Sequence, residues 1–312
     1  MRLHVELQRR PRLLALTGGD DLAGLEVVES TPGGTAAVIE VGDAPAAALA
    51  ILEARGLIRK GSARPEKQLG VLWLPGPLDA ETQWVPGDTF PSIGVTPETQ
   101  RRGRWGAGVR VALLDTGLDG QHPWFAPLRV GGQLEGDLTD SHGHGTHVAG
   151  ILTGIVGVAP AVHLRSYTVL PGGSGSESLI ASGIRQAVQW RAAVINMSLG
   201  GVGYSGVIAD ATNAARQAGV IVVSAAGNGG SAQPVGSPAS SSTYAVMASG
   251  RDNNWASFSD GRHTQDRNVP RIAAPGVEIV SAAPGGGTRP SSGTSMSAPE
   301  VAGMVALLLG AA

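Results

Sequence analysis

The sequence contains no cysteine. That excludes disulfides, thiolate metal sites and thiol nucleophiles together, and leaves the redox compartment open. Aromatic residues make up only 4% of the 312 positions, and the two signs of charge nearly cancel, at a net −2. A near-neutral chain gives no electrostatic argument for nucleic acid or an anionic membrane as partner. No run of about 18 apolar residues is evident, so no membrane span is expected. The opening MRLHVELQRR lacks the apolar core of a secretory signal. As given, the chain reads as cytoplasmic; with a signal removed, it would be secreted. Glycine is abundant at 47 residues and follows no Gly-X-Y period, a composition suited to close backbone packing and many turns. The length fits one large and one small unit, with enough core to dispense with disulfides or metals.

Residues 1–63 read as a small α+β unit. Strand-like runs occur at Arg2–Leu7, Leu25–Ser30 and Thr35–Val41, the last two joined by a Thr-Pro-Gly-Gly turn at 31–34. Pro45–Arg55 is rich in alanine and leucine and reads as a helix with its proline in the first turn. A weaker helix is expected within Pro11–Gly24 and a strand at Leu57–Gly61, giving a βαββαβ order. Residues 64–104 are rich in proline and turn formers and read as a linker with one apolar island, Val71–Leu74. The larger unit, 105–312, begins near Trp105. Its apolar strands, at Val109–Leu114, Val162–Leu170, Ala193–Met197 and Val220–Ser224, alternate with helices at Ser178–Trp190 and Ile208–Ala218. The first of these helices is expected to bury Leu179, Ile180, Ile184, Ala187 and Val188. Strands apolar on both faces and divided by helices imply an α/β fold, a parallel central sheet with helices on both faces. Ligands in such sheets bind beyond the C-terminal strand ends.

Chemistry-bearing residues fall at that edge. Strand Val109–Leu114 runs into Asp115-Thr116-Gly117, and strand Val220–Ser224 runs into Ala225-Ala226-Gly227-Asn228. In GTSMSAPEVAGMVALLLG, Ser295 precedes an apolar helix with Pro299 in its first turn. A serine there lies beside unpaired N–H groups and the positive helix end, which can stabilise an oxyanion. Residues 141–150, SHGHGTHVAG, hold three histidines within six positions. They could be a metal site, a loop, or the start of a catalytic histidine's helix. Asp, His, Ser and Asn on one edge suffice for acyl transfer: a base activates the hydroxyl, a carboxylate orients the base, and an amide meets the oxyanion. Each alone has a plainer reading, as a cap for Asp115 or Ser295 and a turn residue for Asn228.

Taken together, DTG at 115–117, HGTHVAG at 144–150, NMSLGG at 196–201, AAGN at 225–228 and GTSMSAP at 293–299 resemble the subtilisin-like serine proteases, from about Trp105 to the end. ASFS at 256–259 and APGV at 274–277 also match. The resemblance implies a serine endopeptidase working through an acyl-enzyme, with Asp115 as orienting carboxylate, His144 as general base, Ser295 as nucleophile and Asn228 as oxyanion donor. It implies peptide or protein substrates paired along Ser198, Leu199 and Gly200. Ala225, Ala226 and Gly227 would wall a roomy, mostly apolar pocket for the side chain before the scissile bond. Residues 1–63 have the position and size of the family's prodomain, an intramolecular inhibitor removed in maturation; the processing point would lie within about 64–90. His147 is expected as a supporting residue, His142 as a solvated loop residue, and Glu177 as a solvated helix-start residue near a distant subsite. The alternative reading is an inactive or regulatory peptide-binding protein on the same fold.

Zinc would suit three close histidines, but HExxH is absent, so no metal ligand is assigned. The GxGxxG at 201–206 lacks the acidic residue a dinucleotide site needs after the next strand. G-x-S-x-G and the Walker A pattern are absent. No cofactor is required for the chemistry. The stretch ILTGIV at 151–156 has no oxygen-rich side chains of the kind a calcium loop uses, so the family's calcium site there is expected to be lost. The chain stops 17 residues beyond Ser295, short for the family, and Glu300 stands where many members have histidine.

Overall fold

The computed structural model describes residues 2–6, 25–30, 36–41, 64–65, 68–71, 74–75, 87–230, 233, 235–239, 242–261 and 269–312. The first strands, β1 (Arg2–Glu6), β2 (Leu25–Ser30), β3 (Ala36–Val41) and β4 (Arg64–Pro65), form an antiparallel sheet in the order β2-β3-β1-β4. The helices expected within 11–24 and 45–55, the turn at 31–34 and the strand at 57–61 lie outside the described residues.

The stretch 64–104, expected as a linker, carries structure wherever it is described. Besides β4 it contributes β5 (Gln68–Val71), β6 (Leu74–Pro75) and helix α1 (Pro97–Arg102). Helix α1 starts at a capping box in which Thr96 and Thr99 satisfy each other's backbone N–H groups, with Pro97 in the first turn. Val95 is buried in the main core, with Phe90 and Ile93 packed against it. A Cβ at Gly103 would meet the Leu307 carbonyl at 2.6 Å. The core of the larger unit therefore draws in residues ahead of Trp105. These strands are two to four residues long, and two of them contain proline, so they show no period; their partners lie far off in sequence.

The larger unit then alternates. β7 (Arg110–Asp115), α2 (Ala126–Val130), β8 (Leu134–Gly136), α3 (His144–Thr153), β9 (His163–Thr168), β10 (Ser174–Ser176) and α4 (Glu177–Gln189) come first. β11 (Val194–Met197), β12 (Leu199–Gly200), α5 (Gly206–Gln217), β13 (Ile221–Ala225), β14 (Tyr244–Ser249) and β15 (Arg271–Pro275) follow. β16 (Ile279–Ala283), β17 (Gly287–Ser292) and α6 (Thr294–Ala311) close the chain. Seven strands form one parallel sheet, ordered β15-β14-β13-β11-β7-β9-β8.

Central strand β7 serves two cores. Val111 and Leu113 join the cluster containing Val148 and Leu152 of α3 and Val301 and Ala302 of α6. Ala112 and Leu114 join the cluster containing Ile180 and Ile184 of α4 and Ile208 and Ala211 of α5. Alternate side chains on a strand point to opposite faces, which is why an unbroken apolar run is needed here. The face expected for α4 is borne out at Ile180, Ile184 and Ala187, but Leu179 is 38% exposed. Helix α6 is, by length and composition, apolar enough to cross a membrane, yet 67% of it is buried inside the protein. Its apolarity serves the core, where it packs against α3 and the sheet.

Candidate active site

Asp115 is the last residue of β7 and is fully buried. Its Oδ1 accepts a hydrogen bond from His144 Nδ1 at 2.6 Å and one from the Thr116 N–H at 2.8 Å. His144 is the first residue of α3, also fully buried. Gly145 permits this meeting: a Cβ there would lie 2.1 Å from the Gly117 carbonyl and 3.2 Å from Asp115. A buried carboxylate on Nδ1–H fixes the tautomer and leaves Nε2 as the basic nitrogen.

Asp140, unassigned in the sequence, organises the start of α3. Its Oδ1 accepts from the N–H groups of His142 and Gly143 and from Thr116 Oγ1; its Oδ2 accepts from the N–H and hydroxyl of Thr146. Burial alone would raise this carboxyl, but the hydrogen bonds from Gly143, Thr146 and Thr116 outweigh it and hold it below its ordinary value. Its stabilising effect is thus present above the usual aspartate range and lost on acidification. We expect Asp140→Ala to strand these donors and cost roughly 2–4 kcal/mol, seen as a lower Tm. If His144 has the role expected of it, kcat should fall while KM changes little. An unchanged Tm would contradict this role.

The other histidines are separately engaged. His147 Nε2–H donates to the Arg289 carbonyl at 3.0 Å, and burial pushes its imidazole down to about 3, against the opposing pull of that carbonyl. It therefore acts as the neutral support expected, tying α3 to β17. His142, expected as solvated, is half-buried, its ring centroid 6.4 Å from that of His144. Burial, followed by the neighbouring His144, lowers its pKa.

Ser295 lies in the first turn of α6, fully buried. Its Oγ donates to the Ser198 carbonyl at 2.9 Å, and Ser198 Oγ donates back to the Ser295 carbonyl at 2.9 Å. Asn196 Nδ2 donates to Ser198 Oγ at 3.1 Å. This clamp was not legible in the sequence, since its groups lie about a hundred positions apart. The hydroxyl proton is directed at Ser198 here rather than at His144. Asn228 Oδ1 accepts from the Thr294 N–H at 3.0 Å and from Thr294 Oγ1 at 2.9 Å. A backbone N–H can only donate, so the amide cannot be flipped. Its Nδ2 is buried with no hydrogen-bond partner among the described residues.

Beside Asn228 opens a cavity of about 530 Å³, lined by Gly200, Ala226, Gly227 and Asp260 among others. Ala226 and Gly227 line this cavity; Ala225, the last residue of β13, does not and belongs to the main core. The lining also carries one carboxylate. Asp260 lies against Gly227, where a Cβ would collide with its carboxylate, and burial pushes the carboxyl up to about 6, against N–H groups of Gly229 and Gly230. Gly201, Val202 and Gly203, from the apparent dinucleotide motif, also line this cavity.

A sequence model of the subtilase family (peptidase S8) matches residues 106–312. The chain belongs to the subtilase family. Alkaline elastase YaB of Bacillus sp. (strain YaB) is 42% identical over 228 residues, covering 68% of this chain and 57% of that protein. Subtilisin DY of Bacillus licheniformis is 40% identical over 226 residues, covering 68% and 80%. Subtilisin E of Bacillus subtilis (strain 168) is 40% identical over 228 residues, covering 68% and 58%. The chain thus spans little more than half the length of two of these three relatives.

In this subtilase, the segment Ser198-Leu199-Gly200 divides its tasks. Ser198 holds Ser295, while Leu199 and Gly200 form β12, which pairs with β5 of the same chain. On its other edge β5 pairs with β10, making a three-stranded sheet, β10-β5-β12. Glu177, read as solvated, is fully buried and accepts a hydrogen bond from the Ser205 hydroxyl. It joins α4 to the start of α5.

Proposed function

We propose that the protein is a serine endopeptidase that cleaves peptide bonds through an acyl-enzyme, made as a zymogen whose N-terminal unit is its intramolecular inhibitor. The catalytic set is Asp115, His144, Ser295 and Asn228. His144, oriented by Asp115, takes the proton from Ser295 as its Oγ attacks the carbonyl carbon; the same proton passes to the leaving amine, and water then releases the acyl group. Subtilases need no cofactor for this catalysis. Substrate backbone adds as a strand along Leu199 and Gly200, the place β5 takes, and the cavity at Ala226 and Gly227 takes the side chain preceding the bond. The pairing of β5 across this groove supports the zymogen reading.

The observation that carries the proposal is Asn228. Its carbonyl is held by a donor that cannot be reversed, which leaves a buried amino group beside the residue that would attack. Such a donor stabilises charge that develops only in the transition state. We expect Asn228→Ala to lower kcat about 10²–10³-fold, the scale found for oxyanion donors in subtilisins, with KM little changed. A serine-directed fluorophosphonate should still label Ser295. An equal loss in binding and turnover would argue against the role.

The Ser295 hydroxyl bonding to Ser198 favours a second reading, a peptide-binding protein without turnover. Labelling separates the two: a probe that needs an activated hydroxyl reacts under the first reading and fails under the second.

A further inference from the structure

The groove beside Ser295 is occupied by the chain itself, on both sides of the nucleophile. In β5, Gly70 lies opposite both Ser174 and Gly200, Leu69 opposite Gly175, and Val71 opposite Leu199. Shortly after, in β6, Leu74 lies opposite Ser292 and Pro75 opposite Ser291. Ser198, directly before β12, holds the Ser295 hydroxyl, and Ser292, the last residue of β17, stands three positions ahead of Ser295. Consecutive Cα atoms are 3.8 Å apart, so the link from Val71 to Leu74 reaches about 11 Å at most.

We propose that the bond between Leu72 and Trp73 is the one this enzyme cuts in its own chain. The proposal rests on the acyl-transfer reading above and adds the bond. Leu72 and Trp73 lie outside the described residues; the assignment uses the registers on either side of them. Advancing the β5–β12 register by one residue sets position 72 opposite Ser198. Advancing the β6–β17 register by two sets position 72 opposite Thr294, the residue bonded to Asn228 and directly before Ser295. Two separately determined pairings converge on one position. On this proposal the carbonyl at position 72 is the one that the Ser295 hydroxyl attacks and the Asn228 amide receives. The bond it closes is 72–73.

The step balances without a co-reactant other than water. Ser295 Oγ bonds to the Leu72 carbonyl carbon, its proton passes through His144 to the Trp73 nitrogen, and the 72–73 bond breaks. Water then hydrolyses the ester, leaving a carboxylate at Leu72, an amine at Trp73 and a free Ser295 hydroxyl. Leu69, three positions ahead of Leu72, is 2% exposed and shares an apolar cluster with Leu170, Ile180 and Leu199. Extended peptides with an aliphatic residue at these two positions are therefore the substrate class.

The test uses the full chain, incubated after purification and followed by intact mass and N-terminal sequencing. A new N-terminus at Trp73 is expected from the unmutated chain and none from Ser295→Ala. Trp73→Pro should slow the cut at least about 100-fold, because proline distorts the leaving side. A synthetic octapeptide with the sequence of residues 68–75, QLGVLWLP, tests the bond apart from folding: cleavage is expected between its second Leu and Trp. Replacing that Leu by Asp should lower kcat/KM about 100-fold or more. A first new N-terminus elsewhere, or octapeptide cleavage at another bond, overturns the bond assignment and leaves the endopeptidase reading standing. So does an intact chain that still labels at Ser295 and hydrolyses other peptides. Absence of labelling and of all hydrolysis overturns the endopeptidase reading itself.

Discussion

Ser295→Ala is expected to reduce peptide hydrolysis by about 10⁶-fold, the loss known for the triad serine of a subtilisin. In the proposed mechanism the hydroxyl is the attacking group, and the sequence has no cysteine to substitute for it. Under the same proposal, what should remain is transition-state stabilisation by Asn228 and the α6 N-terminus, acting on direct attack by water. The fold should be little affected. The substitution removes one hydrogen bond, from Ser295 Oγ to the Ser198 carbonyl, while Ser198 Oγ keeps its bond to the backbone carbonyl at 295. A net change of about 1 kcal/mol follows. The pairing of a near-native Tm with lost turnover distinguishes chemistry from stability. Turnover at the unmutated level would remove Ser295 from the mechanism.

Glu300→Gln is expected to stabilise the protein at alkaline pH. Glu300 lies on α6, fully buried, and burial pushes its carboxyl up to about 8 from an ordinary 4.5, against a small opposing pull from Thr89. The unfolded chain loses this proton near 4.5, whereas the folded chain keeps it until about 8. Between those values folding takes up a proton, so stability falls as pH rises, and it levels off above about 8. Glutamine keeps the shape and has no charge to bury. The gain should be small at pH 4 and grow to the order of 3–5 kcal/mol at pH 9. Urea unfolding of both proteins at the two pH values reads it directly. Parallel stability curves would show that Glu300 does not titrate as its burial requires. His147 works in the opposite sense: held neutral down to about 3, it favours the fold above the ordinary histidine range and loses that effect as pH falls toward 3. That slope is common to both proteins and cancels in the comparison.

Four strands of the sheet, β7, β9, β11 and β13, and helices α4 and α5 were legible because apolar runs and helical spacing are local, whereas β8, β14 and β15 were not read. Strand β7 needed only its own six residues to be read, and so did the apolar face of α4 at Ile180 and Ile184. Other features depend on distant partners. Glu177 reads as a helix-start residue until Ser205 is brought to it, and Asp140 has no evident task until α3 begins beside it. β5 and β6 are too short for a period and exist only through pairing with β10, β12 and β17. The family motifs selected Asp115, His144, Ser295 and Asn228; the clamp of Ser198 on Ser295 and the presence of Asp260 at the cavity arise only when segments distant in sequence meet.

Strand β7 ends in Asp115 after sending alternate side chains into two separate apolar layers. The position of that carboxylate is therefore referred to both halves of the molecule at once. A void opened on either side, beneath Leu113 or beneath Leu114, tilts the same terminal residue, and with it the imidazole bound at 2.6 Å. Damage remote from the groove should thus register as slowed turnover before it registers as unfolding.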